Sequence, residues 1–219
     1  MADGDMKGAI LQRDKEIYAI VPRTPVGLLT PEVLERMAAV ARKYKIPIIK
    51  ITSGQRIALV GLREDEIDQA WADLGTGIGR AVELCLHYVQ ACPGTEVCRY
   101  GMQNSLGLGM RLEERFRNRE LPAKLKIGVS GCPFCCAESH LRDIGVFGKK
   151  NGWTFIVGGN AGGRPRVGDV LAQDVSADRV EDLCERFLNF YRKHSRKKER
   201  TARFVERVGV EAVRAAVLG

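Results

Sequence analysis

The chain has 219 residues, of which 45% are hydrophobic and 28% charged, a composition typical of a globular protein with one good core or two small ones. Acidic residues come early in the sequence and no long apolar run accompanies them, so we expect neither a secretory signal nor a membrane anchor, and a cytoplasmic protein. The formal net charge of +8 suits nucleic acid, an anionic substrate or an acidic protein partner, and composition alone does not choose among them.

The first third of the chain is predicted to form a small α+β unit. Short β-branched runs predict strands over 17–21, 46–51 and 56–60. Between the first two we expect a helix that Thr30 caps, and a second helix from about Glu64 ends at Gly75. We expect residues 1–15 to be disordered or extended, a first domain over 16–76, and a flexible boundary in the glycine-rich segment 75–79.

The chemistry is expected in a second domain over 77–175, followed by a C-terminal helical segment over 176–219. The elements predicted there are a helix over 105–117, strands over 125–129 and 153–157, a glycine-rich loop over 158–166, an amphipathic helix capped by Ser176, and a last helical piece from about Arg203.

Seven cysteines without an export signal do not indicate a disulfide framework, because the cytosol keeps thiols reduced and an odd number cannot all pair. Metal ligation or redox chemistry is therefore the leading interpretation. Cys85 and Cys184 are predicted to be small core residues on apolar helical stripes.

The remaining cysteines form two clusters, with Cys92 and Cys98 in the first and Cys132, Cys135 and Cys136 in the second. Loops rich in proline and glycine allow four thiolates to converge on a cubane iron–sulfur cluster. Structural zinc is the alternative, but its knuckles rarely use a C-x5-C spacing. Adjacent cysteines do not easily point at one cluster, so Cys135 is interpreted as a bystander, with ligand substitution or redox activity as the alternative.

The spacing C-x5-C followed by C-x3-C, together with CRYGMQNS at 98–105, VSGC at 129–132 and VGGN at 157–160, resembles the siroheme and 4Fe–4S sulfite and nitrite reductases. ITSGQRI at 51–57 resembles the half domain that precedes their siroheme domain. The resemblance implies an α+β fold: an N-terminal ferredoxin-like half domain, a siroheme and 4Fe–4S binding domain, and C-terminal helices. It also implies that Cys92, Cys98, Cys132 and Cys136 hold the cluster and that Cys136 also ligates the siroheme iron.

The same resemblance implies positive charges for a small oxyanion. Lys124 and Lys126 match a K-x-K element whose lysines face the substrate, and alternation on a strand would point both to one side. The alternative is a solvated edge of the sheet. Arg56 is predicted to meet the anion or a siroheme carboxylate. Where nitrite reductases carry an arginine, five residues before the first cluster cysteine, His87 stands here; it either packs its ring on a helix or donates protons.

Four further residues are predicted to bind the siroheme. Arg164 and Arg166 follow the glycine-rich loop and are expected to contact siroheme carboxylates, with a surface turn as the alternative. Arg99 and Asn160 lie within the motifs that carry the resemblance.

The resemblance implies a six-electron reduction of sulfite to sulfide, or of nitrite to ammonia. Because no flavin or nicotinamide fingerprint is present, the electrons are expected from an external donor such as a ferredoxin. The alternative is a non-catalytic electron-transfer or siroheme-handling iron–sulfur protein. We expect no membrane and no nucleic-acid partner, because the basic run over 192–200 lacks an aromatic platform and suits an acidic protein partner better.

Relatives with a full catalytic module usually contain two copies of this unit, and this chain has one. Either a second identical chain completes the site as a homodimer, or one copy suffices as a compact enzyme.

Overall fold

The computed structural model describes residues 8–219, and these residues divide into two compact units, one ending at Glu83 and the other running from Leu84 to Gly219. Of the N-terminal segment expected to be disordered or extended, the first seven residues lie outside the described part of the chain. Ala9–Leu11 forms a strand.

The first unit is an antiparallel sheet with two helices. Its strands are β1 (Ala9–Leu11), β2 (Tyr18–Ile20), β3 (Ile48–Ile51) and β4 (Ile57–Leu62), in the spatial order β1-β2-β4-β3. Its helices are α1 (Pro31–Lys43) and α2 (Ile67–Leu74), and their apolar faces pack with the sheet around Ile20, Leu59 and Trp71.

Local signals explain both helices. The Thr30 hydroxyl accepts the Val33 N–H at 3.4 Å, and Pro31 stands at the first helical position, where its missing N–H costs nothing. Gly75 ends α2 in the left-handed conformation, at φ +60°. The predicted cap, helix start and helix stop are confirmed.

The division between the units falls later than the predicted domain boundary. The segment 75–79 belongs to the first unit, and Arg56 Nη1 donates to the carbonyl of Arg80 at 2.9 Å just beyond it.

The second unit has a five-stranded sheet in the order β5-β6-β7-β8-β9. Neighbours among the first three strands are parallel, and β8 and β9 are antiparallel. Its elements are β5 (Leu86–Ala91), α3 (Ser105–Phe116), β6 (Leu125–Ser130), β7 (Ile144–Lys149), β8 (Gly152–Val157), β9 (Asp169–Val175), α4 (Ala177–His194), α5 (Thr201–Val208) and α6 (Val210–Leu218).

The placement of His87 and Cys85 on a helix is wrong. His87 lies on β5, and Cys85 directly precedes that strand. Every residue of β5 except His87 is buried, so the segment lacks the alternation that identifies a half-exposed strand. Cys85 is nevertheless fully buried, and Cys184 is a buried residue of α4, as predicted. None of the described helices combines the length and the apolar character that crossing a bilayer requires.

Candidate metal and anion site

Both cysteine loops start at one edge of the sheet, because β5 and β6 are parallel neighbours. Ala91, the last residue of β5, pairs with Val129 near the end of β6. Cys92 follows β5 at once, and its N–H donates to the Val129 carbonyl at 3.1 Å. Carboxyl ends of parallel strands meet at one edge, so the fold brings the two cysteine pairs together.

The loops make direct backbone contact at two glycines. A Cβ built on Gly131 would lie 2.6 Å from the Gly94 Cα, closer than a side chain permits. The Gly131 N–H donates to the Cys92 Sγ at 3.0 Å, and the Cys98 N–H donates to the Gly94 carbonyl at 2.9 Å. An N–H that points at a sulfur stabilises a thiolate, which is the form that ligates metals.

The second loop is fastened to the sheet by buried serines. The Ala137 N–H donates to Ser130 Oγ at 3.1 Å, and Ser130 Oγ lies 2.8 Å from Ser139 Oγ. Ser139 Oγ also donates to the Val146 carbonyl at 2.8 Å. These hydrogen bonds fix the segment around Cys136 to β6 and β7.

The cysteines differ in exposure: Cys132 is buried, Cys92 and Cys98 are half-buried, and Cys136 is exposed. Cys135 adopts a left-handed conformation, at φ +53°. Burial raises the pKa of the Cys135 thiol to about 11, and the charges of Cys132, Cys136 and Cys92 act in the same direction. Cys135 therefore stays protonated at neutral pH.

The four cysteines can be compared with the donor sets of a single metal ion and of an iron–sulfur cluster. Across residues 8–219, no three histidine, cysteine, aspartate or glutamate side chains converge closely enough to ligate one ion. Zinc requires four ligands around one centre, whereas a cubane cluster distributes its thiolates over separate iron atoms. Four cysteines on two touching loops, with an N–H aimed at one sulfur, fit the cluster better than zinc.

The N-terminus of α3 also faces this site. Asn104 caps the helix by accepting the Gly107 N–H at 2.7 Å, and Ser105 Oγ donates to the Cys92 carbonyl at 2.7 Å. The positive end of the helix dipole therefore lies beside the thiolates and favours their negative charge.

Lys124 and Lys126 are half-buried positions on either side of the fully buried Leu125. This alternation is what a strand shows when the two lysines share a face. Lys126 Nζ lies 5.7 Å from the centre of the Tyr88 ring. Burial lowers the pKa of Lys126, and neighbouring positive charges lower it further.

Arg142 is a buried cation near Lys126 that the sequence did not predict. Its guanidinium lies 5.8 Å from the centre of the Tyr88 ring, and Nη2 contacts Gln90 Oε1 at 2.5 Å and Glu138 Oε2 at 2.6 Å. Its Nε is buried and has no hydrogen-bond partner among residues 8–219. No local motif marks this arginine, because it reaches the site only through the path of the cysteine loop.

Hydrogen bonds within the glycine-rich loop over 158–166 hold its two ends together. Asn160 and Arg166 exchange backbone hydrogen bonds of 2.9 and 2.8 Å, and Asn160 Nδ2 donates to the Arg164 carbonyl at 2.8 Å. The Arg166 guanidinium donates to the Gly158 carbonyl at 2.8 Å and pairs with Asp169 at 2.5 Å. The Arg164 side chain is largely exposed. Of the two arginines, Arg164 is thus the more available to a ligand.

Arg99 lies at the rim of a hollow of about 430 Å³ beside Cys132. Its guanidinium stacks 4.5 Å from the centre of the Tyr100 ring, which meets Phe134 edge to face at 5.3 Å. Tyr100 and Phe134 are exposed, so apolar surface surrounds this part of the cysteine loops.

Two further predicted site residues, Arg56 and His87, belong to different units. Arg56 is a buried residue of the first unit, where its N–H also donates to the Thr52 hydroxyl at 3.3 Å. His87 is half-buried on β5 in the second unit. The remaining candidate residues belong to the second unit.

Comparison with known proteins follows the same division of the chain. The family model described as the nitrite and sulphite reductase 4Fe-4S domain matches residues 84–219, and the nitrite/sulfite reductase ferredoxin-like half domain matches residues 10–76. This chain belongs to the nitrite and sulphite reductase family. The predicted α+β order of a half domain and a 4Fe–4S domain is confirmed for this family member.

Individual relatives agree. The chain is 61% identical over 213 residues to an assimilatory-type sulfite reductase of Nitratidesulfovibrio vulgaris, covering 97% of this chain and 98% of the relative. It is 38% identical to the NAD(P)H nitrite reductase of Bacillus subtilis, covering 95% of this chain but 26% of the relative. The crystal structure of dissimilatory sulfite reductase I matches with a TM-score of 0.83 at 15% identity, over 92% of this chain and 69% of that one, and shows the shared fold.

Proposed function

We propose that this protein reduces sulfite to sulfide with six electrons from an external donor. The observation that carries the proposal is the position of two cysteine pairs after the parallel strands β5 and β6, with half-buried Lys126 on β6 and half-buried Lys124 directly before it. Sulfite is preferred over nitrite because the 61% identical relative with 98% coverage is named a sulfite reductase. Nitrite is the second substrate, since nitrite reductases are similar over nearly the whole chain.

Cys92, Cys98, Cys132 and Cys136 would hold a 4Fe–4S cluster, and Cys136 would also ligate siroheme iron. The exposure of Cys136 supports that shared role, since a second ligand requires access to its sulfur. When bound, this cofactor pair would supply single electrons for the reduction of the anion.

The lysines would bind the anion and supply protons as its oxygens leave as water. The half-buried Lys126 ammonium attracts an oxyanion more strongly than an exposed one, because less water screens it. Its lowered pKa also makes it a better proton donor near neutral pH. Lys124 would share the anion from the same face.

Other basic residues keep narrower roles. Arg164, with its exposed side chain, and Arg99, at the rim of the hollow, are proposed contacts for siroheme carboxylates. Asn160 and Arg166 would shape the loop that presents Arg164. Arg56 and His87 stay predictions for the anion, with His87 as a proton donor.

The alternative is an iron–sulfur protein that transfers electrons or handles siroheme without turnover. The observation that favours this alternative is the presence of His87 where the nitrite reductases carry an arginine. Histidine as a residue type can lose its charge near neutral pH, whereas arginine keeps it.

Two partners are proposed with the enzyme. The donor is an external electron-transfer protein such as a ferredoxin. A second copy of the chain is the other, and the edge strand β3 supports it, because Ile48, Ile49 and Ile51 are all exposed. A holoprotein that sediments as a monomer with full activity would exclude the dimer.

The deciding experiment is the visible spectrum of anaerobically purified protein, with iron and acid-labile sulfide analysis. Siroheme bands that shift on adding sulfite to the reduced protein, together with donor-dependent sulfide formation, support the enzyme. The same bands without turnover support the alternative, and a colourless zinc protein refutes both.

A further inference from the structure

The end of the basic run over 192–200 is not a free surface. Arg200 is the residue directly before α5, and its guanidinium turns toward Asp143, directly before β7. The Arg200 Nη2 lies 2.7 Å from Asp143 Oδ2, and its Nε lies 3.4 Å from Oδ1. The two residues are 57 positions apart in the chain.

The Asp143 carboxylate connects this arginine to the lysine strand. Its side chain is 1% exposed, and Oδ2 also accepts the backbone N–H of Lys126 at 2.9 Å. Oδ1 accepts the Thr201 hydroxyl at 2.5 Å. Both oxygens are therefore fully used, and one buried carboxylate fixes the start of α5, the start of β7 and β6 at Lys126.

We propose that Arg200 is a positioning residue for Lys126, acting through the buried carboxylate of Asp143. The proposal rests on the function proposed above and adds a residue from the C-terminal helices to the anion site. Without Arg200, the carboxylate would be a buried charge that only two uncharged donors satisfy, so it would draw in water or move, and the backbone at Lys126 would move with it.

Arg200 also adds charge beside the lysine. The groups that act on the Lys126 ammonium are Tyr88 from β5, Lys124 directly before β6, and Arg142, Asp143 and Arg200. Burial lowers the pKa of Lys126 most, Arg200 lowers it next, Asp143 raises it, and Arg142 and Lys124 lower it further. Loss of Arg200 removes a positive charge that lowers the pKa of Lys126 and leaves the negative charge of Asp143, which raises it. The pKa of Lys126 should therefore rise.

The neighbouring arginines provide matched controls. Arg207 pairs with Glu199 at 2.7 Å, and Arg203 pairs with Glu206. Both lie on α5 within a few residues of Arg200, yet neither is among the groups that act on Lys126. A general effect of disturbing α5 would appear in Arg207→Gln as well.

The experiment compares Arg200→Gln, Arg200→Lys and Arg207→Gln in the holoprotein, with reduced methyl viologen as donor and sulfite as substrate across pH. We expect Arg200→Gln to lower kcat by about tenfold to a hundredfold, the range that a misplaced catalytic group costs, with a smaller change in KM. The alkaline limb of its pH profile should move to higher pH. Arg200→Lys should lose rate without moving that limb, and Arg207→Gln should match the wild type.

A second readout does not depend on turnover. Lysines of the full chain are methylated with a carbon-13 label, the Lys126 signal is assigned with Lys126→Arg, and its titration is followed by NMR. An upward shift of that titration in Arg200→Gln alone supports the proposal; an unchanged titration overturns it. If Arg200→Gln does not fold, the Arg200→Lys variant tests the proposal instead. A wild-type kcat in Arg200→Lys overturns the proposal, and a lower kcat with an unchanged Lys126 titration supports it. Normal turnover in a Lys126→Met variant would refute the catalytic role proposed for Lys126. The coupling of Lys126 to Arg200 is tested separately, by the Lys126 titration in the wild type and in Arg200→Gln.

Discussion

The substitution Gly145→Ala should detach the second cysteine loop from the sheet. A Cβ at this position of β7 would lie 1.8 Å from the Ser139 carbonyl oxygen and 2.6 Å from its carbon. Real Cβ contacts are not shorter than 3.0 Å, so the Ser139 backbone must move by more than about 1 Å. Because the obstacle is backbone, no change of rotamer relieves the contact.

That displacement breaks a defined set of bonds. Ser139 Oγ loses its 2.8 Å contacts with the Val146 carbonyl and with Ser130 Oγ, both in buried surroundings. Overpacking costs about 1–3 kcal/mol and each of the two lost buried hydrogen bonds about 1 kcal/mol, so the free energy of unfolding should fall by about 3–5 kcal/mol. For a unit of this size the expected fall in Tm is roughly 10–15 °C.

The assay is iron and acid-labile sulfide per chain after anaerobic purification, followed by thermal unfolding. The matched control is Gly163→Ala in the glycine-rich loop, where a Cβ meets no heavy atom within 4 Å. Gly145→Ala should lose iron and Tm while the control keeps both. Wild-type iron content and Tm in Gly145→Ala would refute the close approach of the loop and the sheet.

Three further predictions test the site and the first unit. Cys135→Ser should retain the iron of the wild type, whereas Cys136→Ser should lose cluster iron, because Cys136 is a proposed ligand and burial keeps the Cys135 thiol protonated at neutral pH; equal losses on metal analysis would contradict this. Ser130→Ala removes the acceptor of the Ala137 N–H and leaves this buried donor unsatisfied, at a cost of about 1–3 kcal/mol. Iron release to a chelator should therefore be faster, and release at the wild-type rate would show that the serine is dispensable. The pKa of Asp73 is lowered from 3.8 to about 2, first by its hydrogen bond from the Lys43 ammonium, so it stabilises the first unit above about pH 4 and loses that contribution as the pH falls toward 2. Asp73→Asn should flatten the pH dependence of urea unfolding in this window, and an unchanged slope would show that another carboxylate dominates.

Local patterns predicted the first unit well, because its signals act over a few residues. The Thr30 cap, the Gly75 stop and the β-branched strands are readable without knowledge of the rest of the fold. Two of the missed strands lack such signals: β5 is buried almost throughout, and β9 is polar at several positions. Tertiary neighbours decide those strands, and a sequence window does not contain them.

The candidate site divides in the same way. The four proposed ligand cysteines lie in two short segments, so their spacing could be recognised directly. Arg142 and Asp143 carry no such mark, because their importance depends on where the chain returns after the cysteine loop. The Asp143 contact with Arg200 joins two distant parts of the sequence and was not predicted.

The parallel pairing of β6 and β7 places the proposed cluster ligands and the proposed proton donor Lys126 at the two ends of one connection. The chain leaves β6 at Ser130, beside the cysteines, and must return the length of the strand before β7 begins, because parallel neighbours start at the same end. It arrives at Asp143, whose carboxylate accepts the Lys126 N–H near the start of β6. Lys126 and Ser130 are four positions apart on the strand, a distance of roughly 13 Å. The segment 131–143 therefore spans the distance from the thiolates to the lysine, and a change in its conformation at either end acts on both.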